Sequence, residues 1–317
     1  MSLSQISFLL LVILLYTFQN FFCKKFSHTY SGRVKDSTPV LTIIGGIVVI
    51  AVTFFFAKFR FSAQPITIIL GFINAAALYF YNDFLLKGSL CGPYSVMTVF
   101  AMFGVIAMPA VIKWIGFGDK ITSTTICFII FIMVAICLMS NKPSDENEVA
   151  TNKMTLKFLL FSFGLFVCNG SYASILAVQQ ELTGEGEKEE LIIVTFAAAT
   201  IISIMKLVTS KVSLKNVMKM SGEAFCNLMI YAFCAAFAVN SLVIIFLLDI
   251  NAAVLLTVQN AGVMLLSIVF SVIFFKEKLT KMNVVGCILM AIGLVGITVF
   301  ENYTFSKALQ MISNLIK

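Results

Sequence analysis

Pro39-Val-Leu-Thr-Ile-Ile-Gly-Gly-Ile-Val-Val-Ile-Ala-Val-Thr-Phe-Phe-Phe-Ala57 carries no charge over nineteen residues. A helix needs about 20 mostly apolar residues, at 1.5 Å each, to cross a hydrocarbon core of about 30 Å. Lipid offers the backbone no hydrogen-bond partner, so such a run must satisfy itself as a helix. The pattern recurs along the whole chain. Ten bands follow one another: Ile6–Phe22, Pro39–Ala57, Pro65–Phe84, Gly92–Val111, Ile121–Met139, Leu156–Val178, Leu191–Val208, Phe225–Leu248, Ala252–Phe275 and Val284–Val299. Apolar residues make up 60% of the 317, with mean hydropathy +1.02, well above the 45–50% usual for a soluble domain. The expected fold class is an all-α membrane protein of about ten transmembrane helices.

The polar remainder excludes several functions. The longest gaps, Lys24–Thr38, Asn141–Thr155 and Thr209–Glu223, hold no soluble ATPase or kinase. The net charge of +7 resides in short loops, where it sets topology, so no nucleic-acid partner is expected. The first band lacks a basic n-region and an A-x-A-like site, and is expected to be a retained helix. Most of the eight cysteines lie in apolar bands, and no C-x-x-C occurs. They read as small packing residues. With His28 the sole histidine, no zinc cluster can be assembled. No cofactor is expected.

The chain repeats. Phe117-Gly-Asp-Lys-Ile-Thr122 separates bands four and five, and Phe275-Lys-Glu-Lys-Leu-Thr280 separates bands nine and ten, 158 residues later. At that offset Asn82 falls on Asn240, Gly104 on Gly262, Val105 on Val263 and Val111 on Val269. Five bands per half is an odd number, so the second half enters from the opposite side. The expected organisation is a first five-helix repeat over 1–140, a polar linker over 141–155 and a second, inverted repeat over 156–317.

The loop Phe275–Thr280, leading into Asn283-Val-Val-Gly286 and Gly293-Leu-Val-Gly296, resembles the drug/metabolite transporter superfamily, in particular its EamA-like branch, with nucleotide-sugar transporters as cousins. The resemblance extends over the ten spans in their 5+5 order. The first-half copy departs from it: Gly118-Asp119 replaces the usual Gly-Glu, and the glycine-rich fifth helix is missing. The resemblance implies a substrate cavity lined by the first four helices of each half, with helices five and ten peripheral.

Polar groups at membrane depth are costly and usually face a bundle interior or a wet cavity. Helical spacing groups them into stripes: Tyr16, Gln19 and Asn20; Asn74 and Tyr81; Ser162, Asn169 and Tyr172; Thr195, Ala199 and Lys206; Asn227, Tyr231, Cys234 and Ser241; Asn260, Ser267 and Ser271. The candidate substrate-binding residues are Tyr16, Asn20, Asn74, Asn169, Tyr172, Lys206, Asn227, Tyr231 and Asn260. Each also admits a plain reading as an interhelical hydrogen bond. Lys206 could hold an anionic group or snorkel to the surface. Asp83 and Lys87 form a local i, i+4 pair or, less simply, a proton-coupling site. Pro109 interrupts the fourth band, where it would kink the helix.

The resulting expectation is a secondary transporter that moves a small organic metabolite or drug-like solute by alternating access. A membrane-embedded enzyme and a non-transporting scaffold are the alternatives; the absence of clustered His, Cys or carboxylates within the bands argues against the first. Loops after odd-numbered bands hold fifteen Lys and Arg against seven elsewhere, which places those loops in the cytoplasm. The expected partners are a small-molecule substrate and the lipid bilayer, with a homodimer left open. A bacterial plasma membrane is favoured, with Golgi or endoplasmic reticulum as the alternative.

Overall fold

Helices account for nearly all of the regular structure, and no strand occurs among the described residues. The computed structural model describes residues 3–30, 34–117, 155–183, 187–210, 220–246, 252–276 and 281–300, with scattered residues between 127 and 135. The helices are α1 (Leu3–Thr29), α2 (Val34–Phe56), α3 (Pro65–Ser89), α4 (Tyr94–Phe117), α5 (Leu156–Thr183), α6 (Lys188–Thr209), α7 (Gly222–Phe246), α8 (Ala252–Phe275) and α9 (Lys281–Phe300). These match nine of the ten bands in order. The remaining band, Ile121–Met139, lies almost wholly outside the described residues, as do the linker and most of both repeat loops. Seven of the helices contain segments long and apolar enough to cross a membrane: Ile6–Thr29, Asp36–Phe56, Pro65–Ser89, Val96–Gly116, Leu156–Leu176, Lys188–Thr209 and Gly222–Ser241. The apolar stretch in α8, Gln259–Phe275, is shorter.

Local sequence accounts for several boundaries. Pro65 opens α3 at a position whose N–H has no helical partner, behind an extended Gln64. Helix α2 starts before Pro39, at Val34, and α4 runs through Pro109 to Phe117. Helix α1 continues past the expected end at Phe22 to Thr29. Outward faces carry apolar groups suited to lipid. On α3 these are Ile69, Phe72, Ile73 and Phe80, while Thr67, Gly71, Asn74 and Asn82 are buried.

The two sets of four helices interlock. Helix α1 packs on α7 and α8, α2 on α6 and α7, α3 on α5 and α6, and α4 on α5 and α8; α9 packs chiefly on α8. Exchanging α1–α4 with α5–α8, in order, returns the same set of partners. Glycines set the closest approaches. A Cβ at Gly104 would lie 2.1 Å from the Phe166 carbonyl oxygen in the α4–α5 seam, and one at Gly262 would lie 2.7 Å from Ile13 Cδ1 in the α8–α1 seam. Those two seams exchange with each other, and the two glycines are 158 residues apart. The α1–α8 seam is also aromatic. Phe21 has ring centroids at 5.4 Å (Phe270), 5.1 Å (Phe274) and 5.3 Å (Phe275). Such pairs contribute about 0.5–1.5 kcal/mol beyond area burial.

Contacts near helix ends give the directions. The face where α1 ends is termed the upper face. There, Asn227 near the start of α7 donates to Thr29 at the end of α1 (3.2 Å). Phe158 near the start of α5 packs on Gly92, just before α4. The Lys24 ammonium lies over Phe275, the last residue of α8. At the lower face, Glu187, just before α6, accepts from Thr67 near the start of α3 (2.5 Å). Thus α1 runs up and α5 down, α2 down and α6 up, α3 up and α7 down, α4 down and α8 up.

Candidate functional site

Tyrosine is the polar residue best suited to an apolar interior that must also meet a ligand, because one end of its ring is greasy and the other hydrogen-bonds. Five tyrosines from five helices lie between the middle of the bundle and its upper face. Tyr81 on α3 is the hub. Its hydroxyl is within electrostatic reach of Tyr16 on α1, Tyr94 on α4 and Tyr231 on α7. Tyr16 is in turn within reach of Tyr172 on α5. The Cys23 thiol lies among Tyr81, Tyr94 and Tyr231. Tyr16, Tyr81 and Tyr172 are half-buried. Tyr94 and Tyr231 are buried.

Hydrogen bonds orient part of this cluster. The Tyr231 hydroxyl donates to Asn82 Oδ1 (3.4 Å), and Asn82 Nδ2 donates to Thr42 Oγ1 on α2 (3.1 Å). Gln19 on α1 reaches the Tyr231 hydroxyl, while its own Oε1 is buried without a hydrogen-bond partner among the described residues. Gly45 makes room for the Tyr231 ring, since a Cβ there would sit 3.2 Å from Cε1. Tyr94 has Thr98 and Ser267 beside its hydroxyl. At the upper edge, Lys24 is 5% exposed, with its ammonium 4.1 Å from the Phe275 ring centroid and 5.4 Å from that of Tyr94.

Of the nine residues expected from sequence to line a site, Tyr16, Tyr172 and Tyr231 come together here. Asn20 is buried on α1, one turn from Tyr16. Asn260 is buried on α8, with Nδ2 lacking a hydrogen-bond partner among the described residues. Three asparagines serve helix pairs instead. Asn74 Nδ2 donates to Thr195 Oγ1 between α3 and α6 (3.4 Å), Asn169 Nδ2 to the Ala101 carbonyl between α5 and α4 (2.9 Å), and Asn227 Nδ2 to Thr29 Oγ1. Each of the three thus has its amide N–H on a neighbouring helix, while Asn74 Oδ1 is buried without a hydrogen-bond partner among the described residues. Lys206 does not join the cluster. It is exposed near the end of α6, between the exposed Met205 and Val208. That placement suits the snorkelling alternative, in which a lysine stem follows apolar surface and its ammonium stays at the boundary.

Sequence reading left out Tyr81, Tyr94, Gln19, Asn82 and Lys24 as site residues. Tyr81 and Gln19 stood in the stripes with Asn74 and Tyr16, so their signal was present. The Asp83–Lys87 pair is local: Lys87 Nζ donates to Asp83 Oδ2 (2.6 Å), and Thr38 Oγ1 donates to Oδ1 (2.8 Å).

The lower face is held by a carboxylate clasp. Glu187 Oε2 accepts from the Gln64 backbone N–H (3.1 Å) and from Thr67 Oγ1, and Glu190 Oε1 accepts from the Ser62 N–H (3.4 Å). These bonds tie the α2–α3 connection to the start of α6. Asn240 Nδ2 donates to Thr53 Oγ1 (2.9 Å) deeper on the same side, between α7 and α2. Among the described residues, no group of three or more His, Cys, Asp or Glu could hold a metal ion.

No family model matches the chain, and no curated protein matches it. Among solved structures, one described only as "Crystal structure of protein" is similar in fold, with a TM-score of 0.60 and 12% identity over 95% of this chain and 98% of that chain. At that identity the similarity shows the shared fold and nothing about function.

Proposed function

We propose that the protein is a secondary transporter of the drug/metabolite type, carrying a small organic solute across the membrane by alternating access, with the tyrosine cluster as its binding site. The observation that carries this reading is the convergence of Tyr16, Tyr81, Tyr94, Tyr172 and Tyr231 from both halves of the chain. Three of the five rings, Tyr16, Tyr81 and Tyr172, keep accessible surface with which a solute could be met. Apolar walls with few polar groups are the usual make-up of a ligand site. The proposed architecture is two inverted five-helix repeats, 1–140 and 156–317, joined by 141–155. Opposite directions within each matched helix pair, and a set of partners unchanged by exchanging the halves, support it. An embedded enzyme has less to support it, because no group of three or more His, Cys, Asp or Glu accompanies the tyrosines among the described residues.

Proteoliposome uptake tests the reading. Labelled amino acids, organic acids, nucleosides and nucleotide sugars are offered to wild type and to Tyr81→Ala. The expected result is saturable uptake of at least one class by wild type, lost in the variant. Absence of uptake across all four classes, or full activity in Tyr81→Ala, would overturn it.

A further inference from the structure

A tyrosine hydroxyl both donates and accepts, so it does not by itself choose a solute; a side-chain amide with one end already bound does. Gln19 is in that position. It lies on α1, about one turn above Tyr16, and its side chain reaches the Tyr231 hydroxyl. That hydroxyl has one proton, which it gives to Asn82 Oδ1 on α3 (3.4 Å), while Asn82 Nδ2 donates to Thr42 Oγ1 on α2 (3.1 Å). Toward Gln19 the hydroxyl is therefore an acceptor. The Gln19 amide presents its nitrogen to the tyrosine and turns its Oε1 the other way. There Oε1 is buried and has no hydrogen-bond partner among the described residues. Leaving a buried acceptor unpaired is costly, so a solute N–H or O–H that reaches it removes a penalty as well as adding a bond. Other unpartnered acceptors lie away from the tyrosines: Asn74 Oδ1 in the α3–α6 seam, Asn240 Oδ1 between α7 and α2, and Thr200 Oγ1 against Gly46. The charges near the cluster are engaged. Asp83, on the same helix as the hub tyrosine, is held by Lys87 and Thr38, and the Lys24 ammonium lies over Phe275 and Tyr94.

We infer that Gln19 is the donor-selecting residue of the tyrosine site, and that the site takes an uncharged aromatic solute bearing an N–H or O–H, its ring against the tyrosines and its donor on Gln19 Oε1. This deepens the transporter reading and rests on it. The half-buried Tyr16, Tyr81 and Tyr172 supply ring surface for the aromatic body. A solute with a full charge would shed its water among rings, hydroxyls and amides, with both nearby charges already engaged, and that is disfavoured. The chain from Gln19 through Tyr231 and Asn82 to Thr42 joins α1, α7, α3 and α2. A donor placed on Oε1 extends a network whose direction is already set, so the solute's orientation is set with it.

The test titrates the detergent-purified full chain with benzamide, N,N-dimethylbenzamide, benzoate and benzyltrimethylammonium, following the thermal unfolding midpoint. Benzamide should stabilise wild type saturably. N,N-dimethylbenzamide keeps the ring and the carbonyl but has no N–H, and should bind about tenfold more weakly, the loss expected when a buried acceptor stays unpaired. Both ions should bind more weakly than benzamide. Gln19→Met keeps the length of the side chain and removes the acceptor, so its preference between the two amides should shrink to about twofold or less, through loss of benzamide affinity. If Gln19→Met does not fold, the order of affinities in wild type decides. The inference is overturned by failure of benzamide to stabilise wild type, by equal binding of the two amides, by tighter binding of either ion, or by a benzamide preference that persists in Gln19→Met. A drop in the midpoint of Gln19→Met with that preference intact would likewise overturn it, assigning Gln19 to holding α1 on α7. Uptake of a charged solute unaffected by Gln19→Met would remove the uncharged class and leave the transporter standing. Gln19-dependent benzamide binding without uptake of any solute would do the reverse.

Discussion

At the scale of single residues, the site separates tyrosine from asparagine. A tyrosine inside an apolar span has to bring its hydroxyl to a partner, so the inward stripes containing Tyr16, Tyr172 and Tyr231 were legible. An asparagine satisfies its amide equally well on a neighbouring helix, so spacing could not tell Asn74 or Asn169 from a ligand group. Lys24 was hidden for a different reason: a lysine beside a span end looks like a loop residue until aromatic faces from α4 and α8 are brought over it. Two substitutions follow. Tyr231→Phe removes the donor to Asn82 Oδ1 and keeps the ring against Gly45, so it should cost about 0.5–1.5 kcal/mol in thermal or denaturant unfolding. Lys206→Met alters an exposed side chain at the bundle edge. Its stability should stay within about 0.5 kcal/mol of wild type and its uptake should be unchanged. Loss of uptake in Lys206→Met would return that lysine to the site.

At the scale of helices, nine of the ten expected bands became helices, and their order was readable because lipid leaves the backbone no alternative. The ends were less readable. The first band was expected to end at Phe22, yet α1 runs to Thr29, with Lys24 covered by rings from α4 and α8. Nor could helix partners be read from a small apolar alphabet. Gly104 shows why: its value is the 2.1 Å approach to the Phe166 carbonyl, which exists only once α4 and α5 are packed. Gly104→Val should therefore force the seam apart and cost about 1–3 kcal/mol, the usual range for overpacking. The Glu187 clasp acts at this scale too. If the lower face must open during transport, Glu187→Ala releases the bonds from Gln64 and Thr67 and favours that opening. With the eight native cysteines replaced by alanine, an Asn74→Cys thiol, buried between α3 and α6, should react slowly with a small maleimide. Adding Glu187→Ala should speed the reaction about tenfold, as loss of about 1.4 kcal/mol of closure would. An unchanged rate would mean that the clasp is static.

For the whole molecule, charge and direction bear on the same question. The upper face carries Lys24, Lys25, Lys35, Lys87, Lys157, Lys206, Lys276 and Lys281 among the described residues, and the lower face Lys58, Arg60, Lys113 and Lys188. Cationic residues in short loops are retained in the cytoplasm during insertion, whereas acids contribute little. Eight against four is the bias expected if the upper face, with Lys24 and the tyrosine cluster beneath it, lies on the cytoplasmic side. In that orientation the Glu187 clasp lies on the opposite side. The bias was visible as fifteen against seven in sequence, but its strength depended on where each loop falls. One mis-divided band would have inverted it, and the helix directions in the structure now fix which described residues share a face. Two single-cysteine variants in the alanine background test the orientation in intact cells of an expressing bacterium. Lys58→Cys, just past the end of α2, should label with a membrane-impermeant maleimide added outside. Lys281→Cys, the first residue of α9, should label only after the membrane is permeabilised. The reverse pattern would place the tyrosine cluster nearer the outside and turn Glu187 into a cytoplasmic gate. Labelling of both from outside would mean that the two residues share a face, which the directions of α2 and α9 do not allow.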